Sequence, residues 1–283
     1  MEKIYIFTDS AADIPRELVE KYKIGIMPIQ ITYAGRSFRE YYDITPQEYW
    51  KLLEQADEIP ATAQITPVQW LENFKKAKEA GYTHALGVII NGKGSGCYQS
   101  ACLARDMFYD ECGKAMRIEL VDSETYTMIY GRVVLDAAKM CAQGDSFDAI
   151  LGVVKSRIAR CEAVLGVYSL KFLKKSGRIS GGAAFVGEAL GLRPISHVYD
   201  GGVKVCGKAR GDKNLITSAI DFVRKHAAGL LYGDIEESKI AELEKQLLAL
   251  GFAAVERYPI GVSVITNTGP KAFALIYYGA PRG

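Results

Sequence analysis

The residues best equipped for chemistry lie in one stretch, Asn91-Gly92-Lys93-Gly94-Ser95-Gly96-Cys97-Tyr98. It places a hydroxyl, a thiol and an amine among three glycines. The apolar run Ala85 to Ile90 leads in, and a helix-like segment from Cys97 to about Phe108 leads out. Strand, glycine-rich loop and helix follow one another, so unpaired N–H groups and the positive end of the helix dipole face the loop. The glycines are expected to supply positive φ and close approach. Phosphate or carboxylate is the expected guest. No known motif fits. A P-loop needs Lys then Ser or Thr after its last Gly, but Cys97-Tyr98 stand there; the dinucleotide fingerprint needs Gly where Cys97 is. A nucleophile elbow needs Gly where Lys93 and Cys97 flank Ser95. An anion or carboxylate cradle and a plain strand-to-helix turn both remain open.

A second candidate set lies upstream. Thr66 to Gln69 is a capping box that opens a helix, which accounts for Thr66; Thr62 and Gln64 sit ahead of it with hydroxyl and amide free. An alternative chemistry is acyl transfer or hydrolysis with Cys97 or Ser95 as nucleophile, since a helix start lowers a thiol pKa. Its base is not evident. His84 begins a strand, His226 ends a helix, and only His197 lies beside a loop. Six cysteines without a C-x-x-C pair read as reduced core thiols, and with three histidines they predict neither a metal site nor a cofactor. A net charge of +2, from 35 basic and 33 acidic residues, argues against nucleic-acid binding. The apolar runs are strand-length, too short for an integral membrane contact. The opening Met-Glu-Lys-Ile-Tyr-Ile-Phe reads as a buried strand without a signal peptide, so a cytoplasmic location is expected.

The elements that position these residues alternate. Strands near residues 4–7, 85–90 and 117–121, separated by helices, predict a doubly wound parallel sheet for residues 1–160. Asp13 is expected to cap a helix with Pro15 in its first turn, and Thr45 to open another through a capping box. Pro28 belongs on an edge or at a bulge. Ser146 is expected to cap a helix, as is Ser180. Residues 161–283 change rhythm: a hairpin about Asp200-Gly201, helices over Asp212 to His226 and Glu236 to Leu250, and final strands at Gly261 to Ile265 and Phe273 to Tyr278. The fold class is α/β in two domains, a parallel sheet followed by an α+β unit.

Taken in order, Thr8-Asp9-Ser10 with Asp13-Ile14-Pro15, Thr62-x-Gln64-x-Thr66-Pro67 and Ser95-Gly96-x-Tyr98-Gln99-Ser100-Ala101 form a pattern. It continues through Asp122-Ser123, Leu173-Lys174-Lys175-x-Gly177-Arg178-Ile179-Ser180, Asp200-Gly201, Lys208-x-Arg210-Gly211 and Thr268-Gly269-Pro270. Over nearly its full length the chain resembles the DegV family of bacterial fatty-acid-binding proteins. The resemblance implies a long-chain fatty acid such as hexadecanoate held between the domains, with no catalytic residue. Members of the FakB type present the carboxyl to a separate kinase, which makes an acyl phosphate for phospholipid synthesis. By resemblance Thr62 and Ser95 bind the carboxyl, supported by Gly96, Gln64, Asn267 and Thr268. Arg178, within the basic group Lys171, Lys174 and Lys175, would contact the kinase. The acyl chain would run into the second domain among Phe172, Ile179, Phe185, Val186, Leu190 and Ile195. The chain departs from the family where Asn267 replaces a usual His, Lys271 and Ala63 a usual Gly and Ser, and Ile65 and Cys97 a usual Pro and Thr.

Overall fold

The computed structural model describes residues 2–55, 58, 60–168, 172, 176–177, 191–226, 230–234, 237–249, 256–269 and 272–280. The helix expected after Ser180 and the basic group around Arg178 lie outside the described residues, as do Ile179, Phe185, Val186 and Leu190.

The first domain runs β1 (Ile4–Asp9), a 3-10 turn (Ser10–Ala12), α1 (Arg16–Tyr22), β2 (Gly25–Met27), β3 (Gln30–Tyr33), β4 (Arg36–Arg39), α2 (Pro46–Glu54) and β5 (Ala61–Ala63). It continues with α3 (Pro67–Glu79), β6 (His84–Ile89), α4 (Cys97–Cys112), β7 (Arg117–Asp122), α5 (Met128–Gln143) and α6 (Phe147–Ile158). Four strands form a parallel sheet in the order β2-β1-β6-β7. β6 is buried along almost its whole length, which is why it reads as an unbroken apolar run. Phe7 packs its ring on Trp70 and Phe74 of α3. Gly131 of α5 lies so close to the Ala12 carbonyl that a methyl group there would overlap it. The capping boxes at Thr45 and Thr66 and the Ser146 cap form as expected.

Pro28 splits the run Ile24 to Tyr33 between two sheets. β2 joins the parallel sheet, whereas β3 pairs antiparallel with β4 and β5 in a separate three-stranded sheet. Thr62 therefore lies in a strand, opposite Ile31, and not in a loop. Asp13 does not cap α1. It adopts a left-handed conformation (φ 54°) after the 3-10 turn, and its carboxylate accepts from the Gly261 N–H at 2.8 Å.

The second domain comprises β8 (Cys161–Val167), β9 (Leu192–Tyr199), β10 (Gly202–Arg210), α7 (Asp212–His226), β11 (Leu230–Asp234), α8 (Glu237–Ala249), β12 (Glu256–Tyr258), α9 (Val262–Thr268) and β13 (Ala272–Tyr278). Its mixed sheet has the order β10-β9-β8-β13-β11-β12, antiparallel apart from the β11–β12 pair. Period-two alternation divides this sheet. Val164, Ile195 and Leu275 face a core that includes Leu215 and Ile216 of α7, while Ala163, Leu165 and Val198 join the large core shared with the first domain. The β9–β10 hairpin turns at Asp200 (φ 49°) and Gly201 (φ 66°), the positive pair that a type I′ turn needs.

The run Gly261 to Ile265 is not a strand. Its β-branched residues begin α9, because tertiary partners outweigh propensity. The Ser263 N–H donates to Glu40 Oε1 at 2.6 Å, and Thr266, Asn267 and Thr268 each donate to the carbonyl four residues earlier. The six cysteines are free; Cys97 and Cys161 are buried, whereas Cys206 is exposed and does not belong to a core.

Candidate functional site

A cavity of about 870 Å³, counted to its open mouth, lies between the two domains. Its apolar wall includes Ile29 and Ile90 from the first domain and Leu165, Val198, Val203 and Val264 from the second. Thr62, Gln64, Ser95, Asn267 and Thr268 bring polar atoms to it, and no charged side chain of the described residues lines it. Five of the residues singled out from the sequence thus converge from β5, the loop before α4, and α9. Gly96 stands directly behind, at the α4 N-terminus. Ile195 faces the opposite side of its sheet, under α7, and Phe172 packs against Gly269; neither lines the cavity.

In the loop before α4, several backbone donors are held within the protein. Buried Asn91 organises the loop. Its carbonyl accepts from the N–H groups of Gly94 (3.1 Å) and Ser95 (3.0 Å), and its Oδ1 from Lys93 (3.0 Å). The Gly92 N–H donates to Asp122 Oδ1 at 3.0 Å. Four loop donors, the N–H groups of residues 92 to 95, are therefore committed within the protein. Nor do Gly92, Gly94 and Gly96 adopt positive φ. They provide room: a methyl group would overlap Asp122 at Gly92, the Tyr126 hydroxyl at Gly94, and Gln64 Oε1 at Gly96.

Asn91 also fastens the domains together. Its Nδ2 donates to Tyr126 Oη at 2.7 Å and to the Gly201 carbonyl at 3.0 Å, while the Gly201 N–H donates to the Glu124 carbonyl. Lys93 Nζ donates to the Asp200 carbonyl at 3.1 Å. The hairpin tip of the second domain thus docks on the loop that carries Ser95.

Ser95 is half-buried, and its Oγ accepts from the Cys97 N–H at 3.3 Å. The Thr62 hydroxyl, also half-buried, has no hydrogen-bond partner among the described residues. Gln64 Nε2 donates to Ser100 Oγ at 3.0 Å. In α9, Asn267 Nδ2 donates to the Ser263 carbonyl at 2.7 Å and Thr268 Oγ1 to the Val264 carbonyl at 3.1 Å.

Nucleophilic chemistry finds no support here. Cys97 begins a helix, yet burial pushes its thiol up to about 11, and the nearby Asp9 carboxylate adds to the rise. Its Sγ accepts from the Ile65 N–H at 3.5 Å. No histidine reaches the cavity. His84 meets Thr83, His197 meets Glu162 (2.7 Å) and Tyr277, and His226 meets the Phe222 carbonyl.

Three carboxylates lie buried behind the polar end. Burial raises Asp9 to about 6, against the opposing pull of the Ile90 N–H (2.7 Å) and the Tyr130 hydroxyl (2.7 Å). Burial likewise holds Asp13 and Glu40 above the ordinary carboxylate range. Among the described residues, no group of three or more His, Cys, Asp or Glu could hold a metal ion.

Sequence reasoning gave Asn91 no role of its own and missed Tyr126 and Thr127. The Asn-Gly step at 91–92 is a turn signal that points to Asn91. Thr127 gives none, although it lines the cavity with φ 56°, a strained conformation for a β-branched residue.

Fold and site together define a two-domain α/β protein with an apolar interdomain cavity that is polar at one end and bears no charge among its described lining. The chain belongs to the DegV family, whose model, described as "Uncharacterised protein, DegV family", matches residues 3–280. A DegV domain-containing protein of Caldanaerobacter subterraneus subsp. tengcongensis is 34% identical over 285 residues, covering 98% of this chain and 99% of the relative. A Thermus thermophilus structure described as "Fatty Acid Binding of a DegV family Protein" superposes with a TM-score of 0.86 at 28% identity, covering 98% of this chain and 100% of that one. A DegV lipid-binding protein from Thermotoga maritima gives a TM-score of 0.83 at 25% identity, with 100% of both chains covered. Among the described residues, no helix is long and apolar enough to cross a membrane.

Proposed function

We propose that this protein binds one long-chain fatty acid in the interdomain cavity, with the carboxyl held by Thr62 and Ser95 and the tail among Leu165, Val198 and Val203. The carrying observation is the cavity itself: a largely apolar wall, uncharged among the described residues, that includes the half-buried hydroxyls of Thr62 and Ser95. The Thermus thermophilus relative, described as fatty-acid binding, supports the reading. Burial of the chain supplies most of the affinity, at about 0.8 kcal/mol per CH₂, and the hydroxyls set its orientation. Gly96 and Gln64 brace the Ser95 loop, and Asn267 and Thr268 close the polar end from α9.

In this reading the protein is a cytoplasmic carrier and not an enzyme. Its domains divide at 160/161, where β8 begins. It presents the carboxyl to a separate fatty-acid kinase, which Arg178 contacts. Lipid extraction and mass spectrometry of the purified protein test the ligand: a stoichiometric C14–C20 fatty acid is expected, of the order that such a cavity accommodates. Absence of any fatty acid, with no thermal stabilisation by added hexadecanoic acid, would refute the reading. Arg178→Glu is expected to abolish kinase-dependent phosphorylation of bound fatty acid while leaving binding intact.

A further inference from the structure

Loops leave the parallel sheet at the carboxyl ends of β1, β6 and β7, which is where such sheets take ligands. The loop after β6 carries Ser95, and the loop after β7, residues 123–127, lies directly against it. The Asn91 N–H donates to the Thr125 carbonyl at 3.1 Å, and Asn91 Nδ2 donates to Tyr126 Oη at 2.7 Å. Thr127 follows, in the same cavity wall as Ser95.

On local grounds Thr127 is a poor residue for its place. Its backbone sits at φ 56°, ψ −152°, a region that glycine enters freely and β-branched residues avoid. It is the N-cap of α5, yet its side chain makes no capping bond and no acidic residue lies in the first turn of that helix. By contrast α2, α3 and α6 are each capped by a side chain, from Thr45, Thr66 and Ser146, and none of these three residues lines the cavity. Thr127 therefore costs backbone strain and gives its helix no cap in return.

The side chain supplies a reason. Thr127 is only 7% exposed and lines the cavity, and its hydroxyl has no hydrogen-bond partner among the described residues. A buried hydroxyl without a partner is costly unless a guest provides one. Behind it stands the amino end of a 16-residue helix, with Tyr126 and Ile129 on the same cavity wall. The positive end of the helix dipole favours a carboxylate there.

We propose, resting on the fatty-acid reading, that Thr127 is a third contact for the head group: its hydroxyl donates to a carboxyl oxygen of the bound fatty acid at the uncapped end of α5. The strained backbone is kept because it turns this hydroxyl into the cavity. Thr62 from β5, Ser95 from the loop after β6 and Thr127 from the loop after β7 then share one carboxylate, whose roughly four acceptor positions accommodate all three.

The test titrates the full-length, delipidated protein with hexadecanoic acid by calorimetry and measures urea unfolding alongside, for wild type and three variants. Thr127→Val keeps the branched shape but loses the hydroxyl, and its affinity should fall about tenfold. Thr127→Ser keeps the hydroxyl and should bind within about twofold of wild type. Thr127→Gly loses the hydroxyl but relieves the backbone, so it should resist urea at least as well as wild type and still bind about tenfold more weakly. A purely structural role would not weaken binding in a variant that is no less stable. Thr127→Ser and Thr127→Gly decide the matter if Thr127→Val does not fold. Wild-type affinity in Thr127→Val or Thr127→Gly, or a loss in Thr127→Ser as large as in the others, would overturn the proposal while leaving the fatty-acid reading intact. If wild type itself bound no hexadecanoic acid, that reading would fail and the proposal with it.

Discussion

Two helix N-termini near the cavity solve the same problem in opposite ways. At α9 the chain supplies its own anions: Glu40 accepts from the Ser263 N–H at 2.6 Å and Asp13 from the Gly261 N–H at 2.8 Å. At α4 no acidic residue lies in the first turn, and the Cys97 N–H meets only the Ser95 hydroxyl. A helix end sealed inside the protein needs internal acceptors, because an orphaned buried donor is costly. A helix end that borders a cavity can keep hydroxyls available for a guest. The two ends are linked through α9, whose first turn is gripped by the first domain while Asn267 and Thr268, in its last turn, line the cavity. The buried acids therefore help to place one wall of the site.

The largest expected effect breaks the sealed end. Glu40→Ala removes the acceptor for the Ser263 N–H and for Ser10 Oγ (2.6 Å), leaving both without it. Two such bonds to a charged group predict a loss of about 3 kcal/mol or more in urea unfolding. A loss below about 1 kcal/mol would show that α9 does not depend on its acid.

The pH dependence of stability probes the same acids. Asp9 titrates near 6 in the folded protein, above the ordinary aspartate value of 3.8. The folded state therefore holds this proton more tightly than the unfolded chain. Its contribution is complete below about pH 4 and is lost as pH rises through about 6, by up to roughly 3 kcal/mol. Raised Asp13 and Glu40 act with the same sign. Denaturant melts of wild type and Asp9→Asn across pH 4 to 7 should show that this decline is shallower in the variant; identical slopes would contradict the assignment to Asp9.

At the open end the expected effects concern binding. Ser95→Ala should weaken hexadecanoic acid about tenfold and cost no more than about 1 kcal/mol of stability, the reverse of the Glu40 pattern. Smallest is a reactivity prediction. With its thiol near 11, Cys97 should be about a thousandth thiolate at pH 8, and iodoacetamide should label it after the more exposed Cys102 and Cys206. Preferential labelling of Cys97 would restore it as a nucleophile.

Much of this architecture was legible in local signals. Capping boxes at Thr45 and Thr66, the Asp200-Gly201 turn and the buried strand before Asn91 each state their structure within a few residues. Ser95 stood out from its glycine-rich loop and Thr62 from the segment ahead of a capped helix, Asn267 and Thr268 came from a family pattern, and all four line the cavity. The failures are nonlocal. The run Gly261 to Ile265 looks like a strand until its donors find carboxylates more than 200 residues away in sequence, at Asp13 and Glu40. The glycines of the Ser95 loop suggested backbone freedom, yet they are there because Gln64, Asp122 and Tyr126 press against them. A lowered thiol pKa followed from the helix start alone; burial, which sequence spacing does not reveal, reverses it.

The central claim is that Thr62 and Ser95 hold the head group of a fatty acid whose tail lies between the domains. Native mass spectrometry of delipidated protein titrated with hexadecanoic acid, comparing wild type with Thr62→Val/Ser95→Ala, tests it most directly. The account predicts one ligand per chain for wild type and an affinity at least about tenfold weaker for the double variant, from the loss of two hydrogen bonds. Equal affinity in both proteins, or no saturable binding to the wild type, would contradict it.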